Sequence, residues 1–136
     1  MNKTIGLFSY PAAVQMAGGI CKTVPLELNR TTSKWELDFI RLEAAISPKT
    51  KLLFINTPHN PTGKVFTVDE LKIISDILSR HPHVTAVTDV VYEKLVYDGR
   101  EHIRLASVPG MWDRTLTVSS CGKTFSCTGW KVRFFE

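Results

Sequence analysis

The chain has few cysteines, and they do not pair. Cys21, Cys121 and Cys127 are odd in number and none stands in CxxC spacing, so neither a disulfide framework nor a thiol–redox motif is implied, and the usage fits a reduced intracellular compartment. Basic clusters are missing as well. Lys+Arg number 17 against 13 Asp+Glu, giving a net charge of +4, but these are scattered, which argues against a nucleic-acid footprint and suits an anionic small ligand. No apolar run is long enough to span a membrane. The weakly apolar residues 5–14 are interrupted by Ser9 and Pro11 and lack a cleavage site, so they do not read as a signal peptide. Repeats, low-complexity tracts and linkers are absent. Four histidines lack metal-ligand spacing: His81 and His83 flank Pro82 at a helix end and read as surface residues.

What is present is one domain's worth of sequence, 136 residues with 43% hydrophobic content. Residues 1–8 carry little pattern. Residues 10–16 predict a short helix ended by Gly18-Gly19, and residues 23–28 alternate as a β-strand with Pro25 at an edge or start. After a polar loop over residues 29–33, Leu37, Ile40, Leu42, Ala45 and Ile46 predict an amphipathic helix with Glu36 and Asp38 near its start and Pro48 at its end. Residues 51–56 read as a buried strand. Residues 56–63, Asn-Thr-Pro-His-Asn-Pro-Thr-Gly, hold two X-Pro bonds and a glycine, which exclude helix and strand and predict a rigid turn. Thr67 and Glu70 form a capping-box pattern ahead of the stripe Leu71, Ile74, Ile77, Leu78. Residues 84–87 are a further strand ending in Thr88-Asp89, residues 90–96 an apolar segment read as a short helix, and residues 115–118 a last strand.

Short apolar strands separated by crossover-length segments predict an α/β fold with a mostly parallel sheet and flanking helices. In such a sheet the strand C-termini share one edge, and ligands bind there. Three polar stations fall on that edge: Asn60 after the first strand, Asp89 with Tyr92 after the next, Ser120 with Lys123 after the last. Lys123 could grip a phosphate, act as a base of lowered pKa, or form a Schiff base with a carbonyl. A P-loop is excluded, because the glycine it needs five residues before Gly122 is Thr117.

The set Asn60-Pro-Thr-Gly, Asp89 with Tyr92 three residues on, and Ser120-x-x-Lys123 with Lys131 eight beyond resembles the fold-type I pyridoxal-phosphate aminotransferases. Asn56-Thr-Pro-His-Asn-Pro-Thr-Gly-Lys, Val91-Tyr-Glu-Lys-Leu-Val-Tyr, Pro109-Gly-Met-Trp and Gly122-Lys-Thr-Phe-Ser-Cys-Thr-Gly-Trp-Lys-Val resemble the kynurenine aminotransferase group, which includes glutamine transaminase K and cysteine-S-conjugate β-lyase. The likeness runs over residues 9–132. It implies that residues 1–136 are part of a large cofactor-binding domain, with an upstream phosphate loop and a downstream small domain lying outside the chain.

The resemblance implies pyridoxal 5′-phosphate as cofactor, with Lys123 as Schiff-base lysine and proton shuttle. It implies Asp89 against the pyridine nitrogen, Tyr92 and Asn60 on the ring's phenolic oxygen, Ser120 and Lys131 on the phosphate, and a cis Asn60-Pro61 bond. The implied reaction is transamination between an amino acid such as kynurenine or glutamine and a 2-oxo acid. β-Elimination from cysteine conjugates, or a truncated product that binds cofactor or partner without turnover, stand as alternatives. A cytoplasmic or mitochondrial homodimer is implied, with no nucleic acid, membrane or metal. Three departures stand out: Val90 where the family has an acid, Arg133 where it has glycine, and residues 1–8, which do not match. The family stacks an upstream aromatic on the ring. Phe8 and Tyr10 are the nearest ones, and neither is assigned to that role.

Overall fold

The computed structural model describes residues 9–136. Its most sharply specified element is α3 (Val68–Arg80), and the reasons are local. Thr67 Oγ1 accepts from Glu70 N while the Glu70 carboxylate accepts from Thr67 N, so two of the helix's unpaired N–H groups are satisfied reciprocally. The stripe Leu71, Ile74, Ile77 and Leu78 is buried to 2% exposure or less. It forms the centre of the core with Leu42, Ile55, Phe66, Val84, Ala86, Leu105, Val108 and Met111.

The main sheet has the order β3 (Leu52–Asn56), β4 (Thr85–Asp89), β5 (Thr115–Ser119), β6 (Phe134–Phe135). The first three are parallel and β6 is antiparallel to β5. Register brings Asn56 beside Asp89 and Asp89 beside Val118, so the three parallel strands end together. Leu53, Ile55 and Ala86 face the core. On the opposite face Leu52 and Phe54 are 49% and 42% exposed, so among the described residues β3 is only lightly covered on that side and is not the fully buried strand expected.

Other expectations shift in detail. The helix α1 (Ser9–Met16) forms and is followed by Gly18 at φ +73°, as read. The predicted strand over 23–28 starts only after Pro25, as β1 (Leu26–Asn29). It pairs antiparallel with a strand not anticipated, β2 (Lys34–Leu37). Glu36 and Leu37 therefore belong to β2, and the helix α2 (Phe39–Ala45) begins after them, with the Asp38 carboxylate accepting from Arg41 N. The hairpin is tied to α3 through Lys64, whose ammonium donates to Trp35 O at 2.9 Å and bonds Glu70 at 2.6 Å. Between β4 and β5 the expected short helix is absent. A turn over residues 91–94 takes its place, with Glu93 N bonded to Val90 O.

Arg114 locks the far end of this layer. Its guanidinium donates to Leu78 O (2.7 Å), His81 O (2.9 Å) and Val84 O (2.7 Å). One cation thus closes the C-terminus of α3, where the helix dipole favours positive charge, and fixes the approach to β4 from the residue just before β5. Arg114→Leu is expected to cost about 2 kcal/mol of unfolding free energy, because three carbonyls lose a charged donor. Thr67→Ala is expected to cost about 1 kcal/mol. Urea denaturation of both variants checks the ranking; an Arg114 effect no larger than that of Thr67 contradicts the clamp.

Candidate active site

The first polar station is built on Asn56, the last residue of β3, which is only 8% exposed. Its amide nitrogen donates to Asp89 O at 3.0 Å, and its amide oxygen accepts from Asn60 N at 2.8 Å. Thr57 N donates to the same Asp89 carbonyl at 3.0 Å. The turn that follows closes on itself, with His59 N on Lys64 O and Gly63 N on His59 O. Gly63 has φ +71°, the left-handed conformation in which glycine carries no Cβ penalty. The Thr57-Pro58 and Asn60-Pro61 bonds are both cis.

The second station is Asp89 at the end of β4. Its Oδ1 accepts from Val91 N at 3.0 Å and its Oδ2 accepts from the Tyr10 hydroxyl. The turn over residues 91–94 then presents Tyr92, whose hydroxyl receives the Asn60 amide at 3.4 Å, a long and weak contact. Burial, and next the neighbouring Asp89 carboxylate, push the Tyr10 hydroxyl well above its ordinary pKa.

The third station follows β5. Ser120 caps α4 (Cys121–Thr124): its Oγ accepts from Gly122 N at 3.1 Å and donates to Val132 O at 2.9 Å. A Cβ on Gly122 would lie 3.1 Å from both Ser120 Oγ and Thr128 Cα, so the turn closes tightly around that glycine. Lys123 is exposed on α4 and lines, with Val91, Tyr92, Lys94, Leu95 and Thr124, a cleft of about 130 Å³. Lys131 is exposed at φ 54°, one residue before the carbonyl that holds Ser120. Lys64 and Lys72 are engaged in ion pairs. Among the described residues Lys123 and Lys131 are in none.

All six residues singled out from the sequence thus lie at or just beyond the C-terminal ends of adjoining parallel strands. Asn60 and Tyr92 touch, and Tyr92 and Lys123 share a cleft. Ser120 and Lys131 are joined through Val132. Sequence reasoning gave no role to Asn56, although a polar residue closing an apolar strand was a signal for it. Nor did it find the contact of Tyr10 with Asp89.

A family model described as "Aminotransferase class I and II" matches residues 8–135. The chain belongs to that family. Kynurenine–oxoglutarate transaminase 3 of Rattus norvegicus is 49% identical over 129 residues, 90% of this chain and 28% of the relative. The solved N-succinyldiaminopimelate aminotransferase of Mycobacterium tuberculosis superposes with a TM-score of 0.89 at 43% identity, over 94% of this chain and 33% of that one. Cystalysin from Treponema denticola, whose structure contains a pyridoxal 5′-phosphate cofactor, superposes with a TM-score of 0.87 at 26% identity, over 96% of this chain and 33% of that one. The chain therefore spans about three-tenths of the length of the curated relatives it matches. The resemblance to fold-type I aminotransferases of the kynurenine group is borne out, as is the α/β fold with a mostly parallel sheet. No helix among the described residues is long and apolar enough to cross a membrane.

Two half-buried histidines support the aminotransferase turn that carries Asn60. His59 Nδ1 lies 2.8 Å from Thr62 Oγ1, and burial lowers the His59 pKa. His102, packed near Thr57, has a buried Nε2 without a protein partner, and burial lowers its pKa too, against the raising effect of Glu93. Unfolded imidazoles titrate near pH ~6.5. Below that value the unfolded chain binds protons that the folded chain does not, so stability is full above it and falls as the pH drops. Urea midpoints are expected to fall between pH 7.5 and about 5.5, and more shallowly when His59 and His102 are both changed to Gln. An unchanged slope in that double variant contradicts the assignment.

Proposed function

We propose that the chain is part of a cofactor-binding domain that holds pyridoxal 5′-phosphate at these strand ends and takes part in transamination between an amino acid and a 2-oxo acid. One observation carries the reading: a carboxylate, an amide–phenol pair, a hydroxyl and two lysines outside any ion pair converge on one sheet edge. Each polar group of the cofactor has a complement in that set. A carboxylate suits a protonated ring nitrogen, an amide and a phenol suit a phenolate oxygen, a hydroxyl and a cation suit a phosphate, and an amine suits an aldehyde. Family membership and the cofactor held by cystalysin support it further.

When bound, pyridoxal phosphate supplies an electron-withdrawing ring conjugated to the carbon that receives an amine. Asp89 would hold the ring nitrogen in its protonated form, because an adjacent opposite charge favours the charged form. The Tyr92 hydroxyl and the Asn60 amide would donate to the phenolic oxygen. Their mutual contact at 3.4 Å is weak enough to be given up for a charged acceptor. Ser120 would turn its hydroxyl from Val132 O to the phosphate, and Lys131 would add a point charge. Lys123 would hold the cofactor through its amine, and with that amine free its Nζ would be the base that takes and holds the proton of the substrate α-carbon.

The relatives' names point to kynurenine as amino donor and oxoglutarate as acceptor. A homodimer and a cytoplasmic or mitochondrial setting belong to the same proposal, on family resemblance alone.

Incubating the chain with pyridoxal phosphate, reducing with borohydride and mapping peptides is expected to place one cofactor on Lys123, and Lys123→Ala is expected to lose it. Equal labelling of other lysines in both proteins contradicts the assignment. Adding kynurenine and 2-oxoglutarate to the loaded chain and measuring glutamate then separates turnover from binding without turnover.

A further inference from the structure

The Asp89 carboxylate is held by two donors from two distant segments. Val91 N, on its own strand end, fixes Oδ1 at 3.0 Å. The Tyr10 hydroxyl, 79 residues away on α1, fixes Oδ2. Tyr10 is itself set by its ring, which packs on Phe54 of β3 with centroids 5.6 Å apart and planes tilted by 31°. Of the residues of α1 after Ser9, only Tyr10 and Val14 are not fully exposed. The hydroxyl is therefore delivered to Asp89 from an aromatic pair on the outer face of the sheet, independently of the core under α3.

We infer that Tyr10 is a positioning residue, which orients the Asp89 carboxylate for the ring nitrogen of the cofactor. A carboxylate offers about four lone-pair sites. One donor on each oxygen fixes its plane and leaves one site on each free. With Val91 alone, the group can rotate about its Cβ–Cγ bond; with Tyr10 as well, it cannot turn without breaking a charge-assisted bond. The inference rests on the role proposed above for Asp89 and adds Tyr10 to it.

Tyr10→Phe removes the hydroxyl and keeps the ring on Phe54, so it separates positioning from packing. The readout is the binding preference for pyridoxal phosphate over its 1-deaza analogue, in which the ring nitrogen is a C–H. Wild type is expected to prefer the natural cofactor, Asp89→Asn to lose the preference, and Tyr10→Phe to lose about tenfold of it while binding the deaza analogue as wild type does. Equal weakening toward both cofactors in Tyr10→Phe means a structural role and overturns the inference. If wild type shows no preference, or Asp89→Asn retains it, the Asp89 reading fails. The contact itself is then decided without cofactor. In the chain labelled with ¹³Cζ-tyrosine, the resonance that Tyr10→Phe removes is expected to shift in Asp89→Asn, and an unmoved resonance overturns the inference.

Discussion

The buried amide of Asn56 is the joint on which the site depends. It binds the carbonyl of Asp89 with one end and the N–H of Asn60 with the other. A parallel ladder ends by leaving backbone groups unpaired at the point where the chain must turn away, and such groups are costly if buried without a partner. Here one side chain and Thr57 N meet that need, and in doing so they set the turn after β3 against the end of β4. The separation of Asn60 and Tyr92 then follows from register rather than from any direct attraction between them. Lys123 depends on the same register one strand further along, because Val90 N reaches across to Val118 O beside the start of α4.

Rigidity for this edge comes from the face beneath it. The stripe of α3 covers Leu53, Ile55 and Ala86, and Arg114 ties the end of that helix to the entries of β4 and β5. The opposite face is different in kind. Leu52, Phe54 and Leu116 are between 42% and 49% exposed there, and Tyr10 with Phe54 is the aromatic contact found on it. The site therefore sits between a packed layer that fixes backbone positions and a lightly covered one that sends a single hydroxyl to the carboxylate.

What could be read from the sequence was what local rules specify. The capping box and stripe of α3 are contained within a dozen residues, and they formed as read. The three polar stations were legible because parallel strands end on a common edge whatever their tertiary detail. β2 was missed because Lys34-Trp35-Glu36-Leu37 is a four-residue strand running straight into Asp38, and its apolar Leu37 also fits the period of the helix that follows. The segment over 90–96 was misread because an apolar run does not distinguish a helix from a turn held by neighbouring strands. β3 was taken as covered on both faces because composition cannot show what covers a strand. Asn56 and Tyr10 act across 33 and 79 residues, distances over which one sequence carries no pairing signal.

The central claim is that one sheet edge presents a complementary group to every polar part of pyridoxal phosphate. A crystal structure of the chain grown with the cofactor tests it most directly. The account predicts the ring nitrogen against Asp89, the phenolic oxygen against Asn60 and Tyr92, the phosphate against Ser120 and Lys131, and the carbonyl carbon joined to Lys123. A cofactor bound away from the strand ends, or bound there with its ring nitrogen facing Asn60 and Tyr92, would contradict it.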